Sequence, residues 1–377
     1  MLSLLVGITA CGEDFSFPAG VGKAIRKNWS VPVDGALQPK NIGDIIVGIG
    51  SSTGATAPLA VFDAKARKLL WKSRSFIGDT NSFAVSRTSV FKAATGGDLY
   101  AFDLNTGTLQ GQVAFPENYK FEDSGFNSPQ LVDNILALSS GDSVYTFDVS
   151  NPAAIKFLWK RTFIPGRRVS GFNAENNIVL AAIAAKSGNT TFALDLQDGH
   201  EIWASRPDIA GNDPNESRFI AGFVFAKDKL IAFDANQNLY ALNPSNGERL
   251  WVGRYRDPKC ESSLVVADGL VNADTLFMNA DGGACMYAIS LNTGQIKWFV
   301  DSRKYSGATG TFGGTPLYHN GVVYSGNGNL FAMDAETGQV LGISADVDAG
   351  RQFTQPFLIN GEIVTWGRSV AGFSPVR

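Results

Sequence analysis

The stretch Leu99-Tyr100-Ala101-Phe102-Asp103-Leu104-Asn105-Thr106-Gly107 decides the fold, because it returns along the chain. Close copies stand at Thr191-Phe192-Ala193-Leu194-Asp195, Leu239-Tyr240-Ala241-Leu242-Asn243, Met286-Tyr287-Ala288-Ile289-Ser290 and Leu330-Phe331-Ala332-Met333-Asp334, and weaker ones end at Asp63 and Asp148. Aligned on the Asp-like residue, the copies step along the chain by 40 to 48 residues, which is the spacing of propeller blades. A Trp follows eight positions after that residue at Trp71, Trp203, Trp251 and Trp298; Trp159 is displaced by three inserted residues, and Gly111 and Gly342 stand in the place of a Trp. Two shorter apolar pieces precede each copy, as in Pro316-Leu317-Tyr318 and Val322-Val323-Tyr324, so each unit reads as four short strands. The turn before the Trp strand has a local cause. Gly107, Gly294 and Gly338 can take positive φ, and the Asp or Asn before them can bond back to the turn backbone.

The two ends of the chain complete one another. Ala371-Gly372-Phe373-Ser374 is a further copy that stops before its Trp strand, and Lys27-Asn28-Trp29-Ser30 is a Trp strand with no copy ahead of it. The expected fold is therefore all-β: an eight-bladed β-propeller of four-stranded antiparallel blades over residues 27–377, closed by N- and C-terminal strands that share a blade. Trp29, Trp71, Trp159, Trp203, Trp251 and Trp298 are expected to pack between blades, and Gly111 and Gly342 to mark weaker seams.

Composition agrees and narrows the function. With 41 Gly and 26 Phe among 377 residues, the chain suits many tight turns between short buried strands. A net charge of −3 provides no basic field for nucleic acid. Leu2 to Ala10 is apolar but too short to span a bilayer, and Ile8-Thr9-Ala10-Cys11-Gly12 resembles a bacterial lipobox. Residues 1–10 are thus expected to be a lipoprotein signal peptide, Cys11 the lipidated residue, and 11–26 a linker, placing the protein on the bacterial outer membrane facing the periplasm. An exported chain meets an oxidising compartment, so a Cys260–Cys285 disulfide is expected, provided that the segment at Cys260 folds inward. No metal and no cofactor is expected. The two histidines, His200 and His319, fall in turns, and the glycine-rich run from Val47 to Gly54 has neither the Lys nor the helix of a phosphate loop.

The Ala-x-Asp-x-x-Thr-Gly-x-x-x-Trp pattern resembles the pyrroloquinoline quinone repeat from Trp29 to Ser374. Quinoprotein alcohol dehydrogenases share that repeat, and so does the BamB family, the lipoproteins of the outer-membrane β-barrel assembly machine. The dehydrogenase resemblance implies a vicinal Cys pair beside the quinone, whereas Cys11, Cys260 and Cys285 are scattered. The BamB resemblance implies a non-catalytic, monomeric, lipid-anchored scaffold for protein–protein interaction in outer-membrane protein assembly. The alternatives are an anchored propeller for another protein or a glycan, and a quinone-dependent dehydrogenase.

Long connections follow the Trp strands and carry Arg74, Arg161, Arg167, Arg168, Arg206, Arg218, Arg254, Arg256 and Arg303, with aromatic neighbours such as Phe163 and Tyr255. Arginine beside aromatic residues is interface chemistry. In the BamB family the loops after the fourth and fifth Trp-position strands dock the assembly barrel's soluble repeats, which here are the loops after Trp159 and Trp203. The resemblance thus implies partner contacts at Arg167, Arg168 and Val169, and at Asn212, Asp213, Glu216 and Arg218.

Overall fold

The structure, a computed structural model, describes residues 23–33, 36–50, 56–73, 76–77, 83–94, 97–116, 129–165, 167–183, 190–206, 220–234, 237–255, 269–279, 284–306, 312–344, 355–367 and 369–376. These form eight antiparallel four-stranded blades. Blade 1 runs Ala36–Ile42, Ile45–Gly50, Leu59–Asp63, Lys68–Lys72; blade 2 Phe83–Val85, Ser89–Ala94, Asp98–Asp103, Leu109–Ala114; and blade 3 Gln130–Val132, Ile135–Ser140, Ser143–Asp148, Lys156–Thr162. Blade 4 runs Val169–Glu175, Ile178–Ile183, Thr190–Asp195, Glu201–Ser205; blade 5 Ile220–Ala226, Lys229–Asp234, Asn238–Leu242, Arg249–Arg254; and blade 6 Gly269–Asn272, Thr275–Asn279, Cys285–Ser290, Ile296–Asp301. Blade 7 runs Gly313–His319, Val322–Asn327, Asn329–Asp334, Val340–Ser344. Blade 8 takes Pro356–Ile359, Glu362–Trp366 and Ser369–Phe373 from one end of the chain and Lys27–Pro32 from the other. First strands of neighbouring blades adjoin at the centre, and the core lies in layers between blades.

The repeated residues explain the seams. In the fourth strand a bulge precedes the Trp, so that Trp203, Trp251 and Trp298 stand opposite the repeated alanines Ala193, Ala241 and Ala288. The small Ala leaves room, and the bulge aims the ring at the next blade. There its Nε1 donates to a backbone carbonyl of the following turn: Trp71 to Leu104 (2.8 Å), Trp159 to Leu196 (3.0 Å), Trp203 to Pro244 (2.8 Å), Trp251 to Leu291 (2.9 Å) and Trp298 to Ala335 (3.1 Å). The turn glycine lies beneath the ring. A Cβ on Gly338, whose φ is +73°, would come 2.7 Å from Cδ2 of Trp298. The Asp closes the same turn: Asp103 Oδ1 accepts from Thr106 N (2.8 Å), Thr106 Oγ1 (2.9 Å) and Asn105 N (3.0 Å). Those bonds, the Thr106 amide foremost, hold its carboxyl below the usual range.

The two seams expected to be weak are filled instead. Next to Gly111 the inserted residues of blade 3 form a short 3-10 helix, Pro152–Ala154, whose backbone occupies the space that a Cβ on Gly111 would need. The missing Trp and the insertion before Trp159 are thus one structural event. At Gly342 an additional strand, Lys23–Ile25, pairs in parallel with Val340–Ser344, and Ile25, at 4% exposure, enters the core between blades 7 and 8. These three residues belong to 11–26, the segment expected to be a linker.

Trp29 departs from its class. Its Nε1 donates to Glu362 Oε2 (2.8 Å) within its own blade, and its ring lies over Gly372 and stacks with Phe62 at 6.4 Å. The glycine position of the facing turn in blade 1 is Arg67, at φ +55°, with its guanidinium 5.0 Å from the Trp29 ring and 3.8 Å from Glu362.

Candidate partner-binding face

In an antiparallel blade the connections from strand 2 to 3, and from strand 4 to the next blade, leave at one end. The tight turns leave at the other. On the first of these faces blades 3 and 4 build a braced platform. Phe163 N donates to Asp142 O (3.0 Å) and Val169 N to Gly141 O (2.8 Å), which ties the blade 3–4 connection to the strand 2–3 turn of blade 3. Arg167 N turns back to Ile164 O (2.9 Å), and the Phe163 ring meets Phe192 of blade 4 at 4.8 Å. The platform presents Ile164, 45% exposed, with exposed Arg167 and Arg168 beside it. Arg161 pairs with Glu201 across the seam at 2.9 Å, so it joins the two blades.

Val169 has a different place from the one expected. At 6% exposure it opens the first strand of blade 4 and belongs to the blade 3–4 core, which removes it from the contact surface. Gly166 and the second expected contact group, Asn212, Asp213, Glu216 and Arg218, lie outside the described residues, as do Arg74, Arg256, Cys11 and Cys260. Cys285 is buried and disulfide-bonded. Arg303 is engaged internally: its Nε (2.9 Å) and Nη2 (3.0 Å) grip the two oxygens of Asp301, and although burial raises the Asp301 pKa, the Arg303 bonds outweigh it and hold the carboxyl low.

Other polar groups became visible only in three dimensions. Lys40 Nζ donates to Phe83 O (3.0 Å) and Pro129 O (3.2 Å), reaching from the first strand of blade 1 to blades 2 and 3. Asp234 is fully buried and accepts from Tyr240 Oη (2.7 Å), Asn238 Nδ2 (2.8 Å) and Asn238 N (2.9 Å). On the opposite face Asp195, Asp198 and His200 gather ligand-type atoms within 4.8 Å, the one such group among the described residues. Asp195 already spends its oxygens on Gln197 N (2.7 Å) and Asn177 Nδ2 (2.9 Å), as a turn-closing Asp does. No helix among the described residues is long and apolar enough to cross a membrane.

Eight blades, the Trp-on-turn seams and the shared closing blade define a pyrroloquinoline-quinone-like repeat β-propeller. Comparison with known proteins adds a direction within that class. Residues 189–355 match the family of the outer membrane protein assembly factor BamB. Among curated proteins the chain is similar to BamB of Yersinia pestis, 27% identical over 282 residues (70% of this chain, 58% of that protein). It is also similar to tetrathionate hydrolase of Acidithiobacillus ferrooxidans, 24% identical over 324 residues (75% of this chain, 62% of that protein). It therefore spans about three fifths of the curated relatives it matches. Among solved structures, BamB from Moraxella catarrhalis shares the fold with a TM-score of 0.64 at 14% identity, covering 93% of this chain and 98% of that one. Quinohemoprotein alcohol dehydrogenase from Comamonas testosteroni does so at 0.68 and 12%, covering 93% and 76%.

Proposed function

We propose that this protein is a non-catalytic propeller scaffold that docks a partner protein on the blade 3–4 platform during outer-membrane protein assembly, tethered through lipidated Cys11. The observation that carries the reading is the platform: an exposed Ile164 and two arginines, Arg167 and Arg168, on a backbone held by its own hydrogen bonds, in a chain similar to BamB at both sequence and fold level. A rigid apolar anchor beside guanidinium groups suits a partner segment with an apolar side chain flanked by carboxylates. Arg218 completes the expected set, and Cys260 is the proposed partner of Cys285.

The test is replacement of Arg167, Arg168 and Arg218 by Ala, followed by melting temperature and co-purification of the β-barrel assembly machine from detergent-solubilised outer membranes. Loss of co-purification at unchanged stability supports the reading; equal recovery moves the docking face elsewhere and leaves another protein or a glycan as the ligand. The likeness to tetrathionate hydrolase favours a second reading, an enzyme acting on tetrathionate, which is tested by incubating the purified chain with tetrathionate and following its consumption. A quinone held as in the dehydrogenases does not fit the residues present. That arrangement uses adjacent cysteines, and Cys285 is enclosed in blade 6 in a disulfide.

A further inference from the structure

Blade 7 shows that the free edge of an outer strand in this propeller accepts a fifth strand. Lys23, Ala24 and Ile25 pair in parallel with Gly342, Ile343 and Ser344, just beyond the bulge of the fourth strand. In the other blades the residue aligned with Ile343 is Lys72, Gln112, Lys160, Ala204, Val252, Phe299 and Ser30, read from blade 1 round to blade 8 by its place after the Trp or its substitute. Charged, polar or small side chains at an edge discourage strand pairing, and they occupy this position in blades 1, 2, 3, 4 and 8. In blade 6, Phe299 is half-buried against Tyr287 at 6.1 Å, with Lys304 lying over its ring. Blade 5 alone offers an exposed β-branched residue: Val252 is 51% exposed, whereas Ile343 in blade 7 is 4% exposed within the core shared with blade 6. Leu250, two residues earlier, is 47% exposed, and Arg249 and Arg254 stand exposed at the ends of the strand. Trp251 and Gly253 turn the other way, onto the blade 6 turn, so that face is already used.

We infer that the outer strand Arg249–Arg254 is a strand-addition site for an extended segment of a partner protein, one with alternating apolar residues and a carboxylate at the end that meets Arg254. Backbone groups of this edge, which no strand among the described residues pairs, provide the ladder. Val252 and Leu250 give the apolar contact, and the exposed Arg254 selects an acidic end over a basic one. The inference uses a different surface from the blade 3–4 platform and does not depend on it.

The experiment uses a fluorescein-labelled peptide of alternating Val and Thr with Asp at one end and Glu at the other, titrated with the full chain by fluorescence anisotropy. Wild type binds it, and Val252→Lys, which restores the blade 1 and blade 3 residue, weakens binding by about tenfold or more. Leu109→Lys, which removes an equally exposed side chain (51%) from the edge of blade 2, serves as the control. It changes binding by no more than about twofold, within the usual range for a distant site. The same peptide with alternate backbone nitrogens methylated loses binding, because the ladder then lacks its donors. Binding that survives methylation would reduce the contact to apolar adhesion and overturn the inference. So would equal binding by Val252→Lys at unchanged melting temperature, or no binding by wild type.

Discussion

The five interior seams that hold a Trp and the closing seam solve one packing problem in different ways. At Trp71, Trp159, Trp203, Trp251 and Trp298 an indole bonds forward to a carbonyl of the next blade and covers a glycine turn. At Trp29 the indole bonds back into its own blade through Glu362, and the facing turn contributes Arg67. The interior seam is formed between blades continuous in sequence. The closing seam must capture a strand from the far end of the chain, and around Trp29 it adds charged and polar groups that remain partly in water to an apolar layer. Apolar burial therefore carries both kinds, since Phe62, Val364 and Trp366 form a buried layer at the closing seam too, and screened electrostatics is a small addition around Trp29.

The largest test of that difference sets Trp203→Ala against Trp29→Ala. Trp203 is 7% exposed and its loss should cost about 3–5 kcal/mol in urea unfolding. Trp29 is only partly buried, and its loss should cost about half as much or less. Equal costs would mean that the closing Trp is packed like the rest. The next test concerns the turn glycines. Gly338→Ala meets both a positive φ and the Trp298 ring, and should cost about 2–4 kcal/mol, whereas Gly361→Ala, at φ +77° with nothing within 4 Å, should cost about 1 kcal/mol from the backbone alone. A similar cost at both positions would remove the ring from the explanation.

The smallest effect is expected at the closing seam itself. Glu362→Gln keeps an acceptor for Trp29 but sets its amide nitrogen against Asn28 Nδ2, which donates to the other carboxylate oxygen at 2.6 Å, and loses the attraction to Arg67, which at 3.8 Å and half exposed is worth no more than about 1 kcal/mol. The loss should shrink further as salt is raised, while the Trp203→Ala cost stays constant. Salt-independent destabilisation by Glu362→Gln would mean that the carboxylate acts through its hydrogen bond from Asn28 and not through Arg67.

Much of this was legible beforehand because repetition exposes local rules. The Asp, the Gly and the Trp recur since each blade needs the same turn and the same cover, and the two chain ends could be read as halves of one blade by the copy each lacked. What escaped reading has a common cause, namely dependence on a neighbouring blade. Gly111 and the insertion before Trp159 are separate departures in the sequence, and only the packing of Pro152 beside Gly111 joins them. Val169 read as a loop residue beside two arginines, yet it opens a strand whose side chains meet blade 3. Lys40 bridges carbonyls of two other blades, and no sequence interval announces it.

The sequence by itself determined the propeller, its eight blades, the closing strand and the identity of the seam tryptophans, because these follow from periodicity and turn chemistry repeated within single blades. Only the tertiary structure decided how Trp29 is held, what fills the seams at Gly111 and Gly342, and which arginines pair inside the ring. Arg161 and Arg303 are committed to Glu201 and Asp301, while Arg167 stands exposed on its platform. Those outcomes depend on distances between residues far apart in the chain, which are set only when the ring has closed.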